Sequence, residues 1–350
     1  MRTVLYGGTF NPPHIGHYLT VKTLSGLYDR VIVMPAAVPP HKPLPENSFG
    51  ASERIRLARL TFGGFDNVEV SDFEITKGGV SYTIDTVNAL DIDGLTLALG
   101  TDSFNNFEKW RGFRELLSKV KLAVTRRDGQ SVNERVERLK SEYNANVTVI
   151  DAKIVEISSS ELRGGDMRRA EILENIHPKR LEHSLGTESE AVRLAALYGE
   201  DLREAALAAL LHDCTKHWPP EKHLQYCAEC NIISDRPFSG NEKFLHGITA
   251  AELARRELGV SGAVYGAIKH HTMGRPGMSG LEMIIYLADK LEPTREYKDV
   301  PAYRRLAYEN RERAVLAVIE RVMQKLVEEG SVIHPATFEA RDYYKEVLGL

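Results

Sequence analysis

Along the first half of the chain, short apolar runs alternate with stretches whose apolar residues recur at helical spacing. RTVLY at the start and the continuous run VIVMPA (31–36) read as strands, the second buried on both faces; VEVSDFEI (68–75), LTLALG (95–100), KLAVTR (121–126) and VTVI (147–150) extend the series. Between them the pattern predicts helices. One carries Leu19, Thr23, Leu24 and Leu27 at helical spacing, and others cover Ser52 to Leu60, TIDTVNALDI (83–92) and the residues after Asp102. Such alternation predicts parallel strands, right-handed crossovers and a doubly wound α/β sheet. Ligands of such sheets sit beyond the carboxyl ends of the strands, where Gly7, Pro35, Gly100 and Arg126 fall. From about His177 the strand signals vanish. AVRLAALYG, EAALAALLHD, AAELARREL, MIIYLADKLEP and RAVLAVIERVMQKLVEEG are amphipathic and helical, with Gly and Pro at the joints. The expected organisation is an α/β domain over 1–170 and an all-α domain over 177–350, joined by a short linker.

Composition narrows the class without naming it. A hydrophobic fraction of 43% and a charged fraction of 27% suit a soluble globular protein, and a net charge of −4 argues against a surface built to coat nucleic acid. No apolar run approaches the ~20 residues of a membrane span, and MRTVLYGG starts a strand rather than a signal peptide. Three cysteines are too few for a disulfide framework, so a cytoplasmic location is expected. Cys227 and Cys230 form a lone CxxC in a helical context and read as an incidental pair. A homo-oligomer is left open.

The densest chemistry in the first half is GGTFNPPHIGH (7–17). Gly7 and Gly8 let backbone approach a ligand, Pro12 and Pro13 stiffen the entry to a helix, and His14 and His17 share its first turn, where the dipole and free N–H groups favour phosphate. Further on, AVPPHKP carries His41 and Lys42, Ser81, Tyr82 and Thr83 stand at a helix start, Asp102 follows a strand, and Trp110 offers a face for stacking. Ser158, Ser159 and Ser160 of VEISSSELRGG cap another short helix, with Arg163 one turn inside.

The stretch 7–17 resembles the HxGH signature of the nucleotidylyltransferase superfamily. With PPHKP, SYTIDT, GTDSFNNFEKW and ISSSELR in that order, residues 1 to about 165 resemble the bacterial nicotinate-nucleotide adenylyltransferases. The resemblance implies a Rossmann-like domain in which ATP and nicotinate mononucleotide give nicotinate adenine dinucleotide and pyrophosphate with Mg2+. It implies that His14, His17, Lys42 and Arg163 hold the triphosphate, helped by Ser158 and Ser159, while Thr83, Asp102 and Trp110 hold the nicotinate nucleotide. Gly7, Gly8, Thr9, Phe10, Gly100 and Arg126 complete the expected binding set. Two departures stand out: ISSSELR replaces ISSTxIR, and GGDMRRAEILENIHPKR replaces the family's terminal helix and strand-like end. Other acceptors, such as pantetheine phosphate, remain rivals.

In the helical half, His183, His212, Asp213, His246, His270, His271 and Asp289 are unusual for a plain bundle. A carboxylate such as Asp289 on an apolar helix needs a partner or a cation, and the histidines complete a ligand set for one or two divalent metals. The order H…HD…H…H…D resembles the HD-domain phosphohydrolases, and HSLG, LLHDCTKHWP, FLHG and HTMGRPGMSGLEMIIYLADKLEPTRE resemble their YqeK-type branch. That resemblance implies symmetrical hydrolysis of diadenosine tetraphosphate to two ADP. His183, His212, Asp213 and Asp289 would bind a first metal and His246 with His271 a second, with Asp213 catalytic and Lys216, Arg275 and Arg295 on phosphate. Fe, Mn and Zn are not separated by such ligands. A different nucleotide phosphohydrolase or a nucleotide-sensing module is the alternative.

Overall fold

The computed structural model describes residues 1–40, 44–46, 48–126, 132–151, 159–162, 169–232 and 244–350. The chain divides into two compact units, Met1–Arg163 and Gly164–Leu350. The division falls earlier than the 170–177 joint read from the sequence.

In the first unit six strands form one parallel sheet of order β3-β2-β1-β4-β5-β6: β1 (Thr3–Gly8), β2 (Arg30–Pro35), β3 (Val68–Val70), β4 (Thr96–Gly100), β5 (Lys121–Arg126) and β6 (Val147–Asp151). The helices are α1 (Ile15–Leu27), α2 (Ala51–Phe62), α3 (Phe73–Lys77), α4 (Thr83–Leu90), α5 (Thr101–Asn105), α6 (Phe113–Lys119), α7 (Asn133–Tyr143) and α8 (Ser159–Leu162). Successive strand residues serve opposite faces. Leu5, Ile32, Met34, Leu97, Leu99 and Leu122 pack with residues of α4, α6 and α7, whereas Val4, Val31, Val33, Ala98 and Ala123 pack with residues of α1 and α2. Both faces are covered, which is why the strands read as continuous apolar runs rather than alternating ones.

One expected element changes. VEVSDFEI is a strand only to Val70; the chain then turns and Phe73–Lys77 is a short helix, closed by Gly78 at φ 72°. Ser71 Oγ accepts from the Phe73 N–H, and the buried Glu74 accepts from Thr86 Oγ1 at 2.6 Å. That interior bond holds the segment as a helix against α4.

The second unit is entirely helical among its described residues: α9 (Arg169–Glu174), α10 (Pro178–Tyr198), α11 (Leu202–Leu211), α12 (Pro220–Glu229), α13 (Leu245–Leu258), α14 (Gly262–His270), α15 (Gly280–Leu291), α16 (Val300–Glu309), α17 (Arg311–Glu328) and α18 (Pro335–Val347). Alanines dominate its centre: Ala191, Ala195, Ala205, Ala208, Ala250, Ala267 and Ala288 are fully buried. Small side chains let helices approach closely. At Gly186 of α10 a Cβ would stand 2.5 Å from Glu292 Oε2, so only glycine admits that carboxylate. Cys227 is a buried residue of α12 and Cys230 caps that helix; both are free. No helix among the described residues is long and apolar enough to cross a membrane.

Candidate functional sites

In the first unit the strand order reverses between β1 and β4, and a cleft of about 350 Å³ opens at their carboxyl ends. Gly7, Gly8 and Thr9 line it from β1, Gly100 and Asp102 from β4 and α5, and His17, Thr83 and Trp110 complete the wall. His14 is the N-cap of α1. Its Nδ1 accepts from the Gly16 N–H (3.2 Å), while the His14 N–H donates to His17 Nδ1 (3.3 Å), a reciprocal capping box. With both Nδ1 atoms accepting, a neutral ring carries its proton on Nε2. The rings lie 3.8 Å apart, and the first turn of α1 holds no acidic residue. The sequence LYGGTFNPPHIGH therefore makes a strand end, a sharp turn and a helix N-terminus that all favour phosphate.

Phe10 turns the chain at φ 48°, and its buried ring packs edge-on to Tyr6, His17 and Phe62. A Cβ at Gly8 would stand 2.9 Å from that ring, whereas at Gly7 the nearest atom would be Met34 O at 4.0 Å. Gly8 is thus the residue that packing requires. Trp110 is half-buried against Phe107, with centroids 5.4 Å apart. Asp102 is exposed in the first turn of α5.

Several expected roles look different in three dimensions. The Ser81 hydroxyl accepts from the Ala37 N–H (2.8 Å), tying the start of α4 to the loop after β2. Ser159 Oγ donates to Pro12 O (2.8 Å), bracing the histidine-bearing turn. Arg126, the last residue of β5, grips Asp151 of β6 through Nε (3.0 Å) and Nη2 (2.6 Å) and is not part of the cleft wall. His41, Lys42, Ser158 and Arg163 lie outside the described residues.

Sequence reasoning missed Arg54. It is 1% exposed on α2, and its guanidinium donates to Thr9 O (2.9 Å), Ala36 O (2.6 Å) and Ala37 O (3.0 Å). Burial pulls its pKa down from the usual arginine value. One side chain therefore pins the loops after β1 and β2 that shape the cleft. Arg111, whose guanidinium lies 4.7 Å from the Tyr82 ring centroid, also lines the cleft and carried no signal of its own.

In the second unit, five helices converge on one buried cluster. His183 comes from α10, His212 and Asp213 from the end of α11, His246 from the first turn of α13, His271 from the end of α14, and Asp289 from α15. All six are less than 8% exposed. Asp213 stands between two histidine pairs. Its Oδ2 lies 3.4 Å from His212 Nε2 and 3.6 Å from His183 Nε2, and its Oδ1 lies 3.2 Å from His246 Nε2 and 3.5 Å from His271 Nε2. Asp289 Oδ1 lies 3.1 Å from His183 Nε2. His183, His212 and Asp289 form one group able to hold an ion, and His212, Asp213 and His271 another, with ligand atoms within 4.8 Å of one another in each.

The donor chemistry fits divalent cations. His212 Nδ1 bonds Ala209 O (2.7 Å), His271 Nδ1 bonds Ile268 O (2.6 Å), and His183 Nδ1 meets Glu292 Oε1 (3.2 Å). Each such bond keeps the proton on Nδ1 of a neutral ring and leaves an Nε2 lone pair facing the cluster. Nε2 atoms stand only 3.1 Å apart in His183 and His212 and 3.2 Å apart in His246 and His271, spacings that neutral rings tolerate best around a cation. Among the described residues Asp213 Oδ1 has no hydrogen-bond partner.

Electrostatics favour ionised carboxylates and neutral His246 and His271, whereas Asp289 and Glu292 outweigh burial and raise the pKa of His183. Burial opposes ionisation of Asp213, but His212, His246 and His271 outweigh it and hold the carboxyl well below its usual range. Asp289 is likewise held low against burial, by Lys290, His183 and His212. Burial pushes His246 and His271 down, toward the neutral form that ligates metal. Lys216 Nζ (3.1 Å) and the Arg180 guanidinium meet Asp213 Oδ2, while Lys290 Nζ (2.9 Å) and Arg295 Nη2 (3.1 Å) meet Asp289. Arg275 instead forms a two-pronged pair with the buried Glu282 (2.9 and 2.6 Å). Arg180, Lys290 and Glu292 were not singled out from the sequence, although Arg180 precedes His183 by three residues and Glu292 follows Asp289 by three, the spacing of one helical face.

The fold and the two clusters define an α/β nucleotidyltransferase domain followed by a helical HD domain. A cytidylyltransferase-like family matches residues 5–165, and the HD domain family matches residues 180–294. Proteins of Borreliella burgdorferi and Caldicellulosiruptor saccharolyticus, each named "Probable nicotinate-nucleotide adenylyltransferase", are 38% and 35% identical over 47% and 51% of this chain, and 83% and 93% of their own lengths. The chain belongs to the nicotinate-nucleotide adenylyltransferase family. A Clostridium acetobutylicum structure described as a "predicted HD superfamily hydrolase involved in NAD metabolism" is 38% identical, covering 50% of this chain and 94% of its own, with a TM-score of 0.49.

Proposed function

We propose that the chain is a bifunctional enzyme. Its first unit transfers the adenylyl group of ATP to nicotinate mononucleotide, and its second hydrolyses diadenosine tetraphosphate to two ADP. The first activity is supported above all by His17, which lines the cleft at the ends of β1 and β4 and is joined to His14 by a reciprocal capping box, in a chain of this family. A phosphate oxygen of nicotinate mononucleotide attacks the α-phosphorus of Mg-ATP as the bond to the β-phosphate bridging oxygen breaks, and pyrophosphate leaves with that electron pair. The imidazoles of His14 and His17 stabilise the charge building on the phosphate oxygens, with the N-terminus of α1 behind them. Trp110 and Asp102 orient the acceptor from the opposite wall. No covalent enzyme intermediate is needed, so catalysis is positioning plus charge stabilisation.

For the second activity the supporting observation is the Asp213 carboxylate between two buried histidine pairs. His183, His212, Asp213 and Asp289 would hold one divalent ion, and His246 and His271 would extend the site to another. Such ions, when bound, would hold phosphate oxygens and lower the pKa of a bound water. Arg180, Lys216 and Arg295 offset phosphate charge beside the carboxylates, and Glu292 fixes the His183 ring.

Two assays test the proposal. Pyrophosphate release should require ATP and favour nicotinate over nicotinamide mononucleotide, and His17→Ala should reduce it at least a hundredfold. Metal-loaded protein given diadenosine tetraphosphate should yield ADP alone and lose that activity in Asp213→Ala. AMP plus ATP as products would reassign the second unit to another phosphohydrolase class, and tight binding without turnover would make it a sensor.

A further inference from the structure

A second cavity, of about 300 Å³, opens in the helical unit where the end of α15 and the following loop face α17. Lys290, Arg295, Arg321 and Lys325 line it with Tyr297 and two valines of α17, and among the described residues no acidic side chain contributes to the wall. Its cations differ in commitment. Lys290 and Arg295 also hold Asp289, and Arg295 Nε lies 3.5 Å from Glu292 Oε1, so two residues of the wall also pair with carboxylates at the metal-type cluster. Arg321 has no ion pair among the described residues; its guanidinium faces the Tyr297 ring at 5.7 Å. Lys325 is exposed and reaches Glu329 only at 3.6 Å. Tyr297 is fixed by its hydroxyl, which donates to Lys290 O at 3.1 Å.

We propose that this pocket holds the distal nucleoside diphosphate half of the polyphosphate substrate whose scissile linkage lies at the Asp213–Asp289 cluster. The inference rests on the phosphohydrolase reading of that cluster. Three features carry it. Arg321, with no ion pair among the described residues, and the exposed Lys325 offer positive charge to an anion, and Lys290 and Arg295, which line the pocket and also pair with Asp289, tie its wall to the cluster. Such a volume lies at the small end of ligand cavities, sized for one half of a dinucleoside polyphosphate rather than the whole. The third feature is chemical variety: a guanidinium for bidentate phosphate binding beside an aromatic ring and valine side chains for a nucleoside. Holding the far half at a set distance makes the pocket a ruler that sets which phosphoanhydride meets the metals.

The test uses the full metal-loaded chain and two readouts: calorimetric ADP affinity, and KM and kcat for diadenosine tetraphosphate. Arg321→Glu places a carboxylate in the pocket wall without touching a metal-type ligand. It should weaken ADP binding about tenfold or more and raise KM comparably, with kcat within threefold, because a lost charge-assisted contact is worth about that factor. Arg321→Lys should keep most of the affinity. Unchanged ADP affinity and KM in Arg321→Glu, with hydrolysis intact, would overturn the pocket assignment and leave the hydrolase standing. A fall in kcat with KM unchanged would also overturn it. Arg321-dependent ADP binding without hydrolysis by the wild type would instead remove the hydrolase reading and leave a nucleoside diphosphate site. Lys325→Glu, at an exposed position, carries the same prediction should Arg321→Glu fail to fold.

Discussion

Replacing Arg54 with methionine should damage both the stability and the catalysis of the α/β unit. Three part-buried carbonyl oxygens, of Thr9, Ala36 and Ala37, would lose a charged donor at once, and each acceptor left unmatched costs up to about 1–3 kcal/mol. Against this stands the desolvation of a guanidinium that is 1% exposed, a cost that methionine does not carry. The net loss is about 2–4 kcal/mol, or a fall in melting temperature of about 5–15 °C for a unit of this size. Trp110 reports on the first unit and Trp218 on the second, and these are the two tryptophans of the chain; Trp110 fluorescence in a Trp218→Phe background therefore follows the relevant transition. Below that transition kcat/KM for ATP and nicotinate mononucleotide should still fall about tenfold, because the loops after β1 and β2 are no longer pinned to one another. Arg54→Lys should recover less than half, since a point-like ammonium cannot span two loops as a planar fork does. A melting temperature within 2 °C of wild type, with kcat/KM intact in Arg54→Met, would refute the strut argument.

Other predictions follow from single distances and charges. Gly8→Ala should cost about 1–3 kcal/mol in urea unfolding, because the new methyl meets the Phe10 ring at 2.9 Å, while Gly7→Ala should stay within about 0.5 kcal/mol; equal costs would show that the ring yields freely. Asp213→Asn should strip most bound metal, measured by elemental analysis, and lower tetraphosphate hydrolysis about a hundredfold or more, an effect a chelator should reproduce in the wild type. Full metal content in the variant would remove Asp213 from the ligand set. His223 is buried and meets Thr249 Oγ1; burial, with the charges of His246, His217 and Lys222, pushes its pKa from 6.5 down to about 4. The unfolded chain therefore takes up a proton that the folded chain refuses, and stability present above pH 6.5 should drain away as pH falls toward 4. His223→Gln should flatten that slope in chemical denaturation, and identical slopes would show that the ring titrates normally in the fold.

The order of elements and most of the chemistry were written locally in the chain. Doubly buried strands announce themselves as apolar runs, a glycine- and proline-rich turn before two histidines needs only a strand and a helix start, and HD at the end of an apolar helix is unusual by itself. Where local signals compete, the sequence says less: VEVSDFEI has a strand's alternation, but the interior bond from Thr86 to Glu74 turned its second half into a helix.

What the tertiary structure decided is which partners those residues meet. Arg54, Arg56 and Arg59 of α2 look alike in a charged, amphipathic segment, and only the packing of α2 beneath two loops buries the first and leaves Arg56 and Arg59 at the surface. Arg126 and Arg275 are spoken for by Asp151 and Glu282, whereas Arg295 and Lys216 reach the cluster beside Asp289 and Asp213. The two oxygens of Asp213 face different histidine pairs because α10, α11, α13 and α14 cross at that point. Residue type and spacing determine which chemistry a chain can offer, since they depend on bonded neighbours alone; which cation pairs with which carboxylate, and which oxygen faces which ring, depend on contacts between residues far apart in sequence and exist only once the helices have packed.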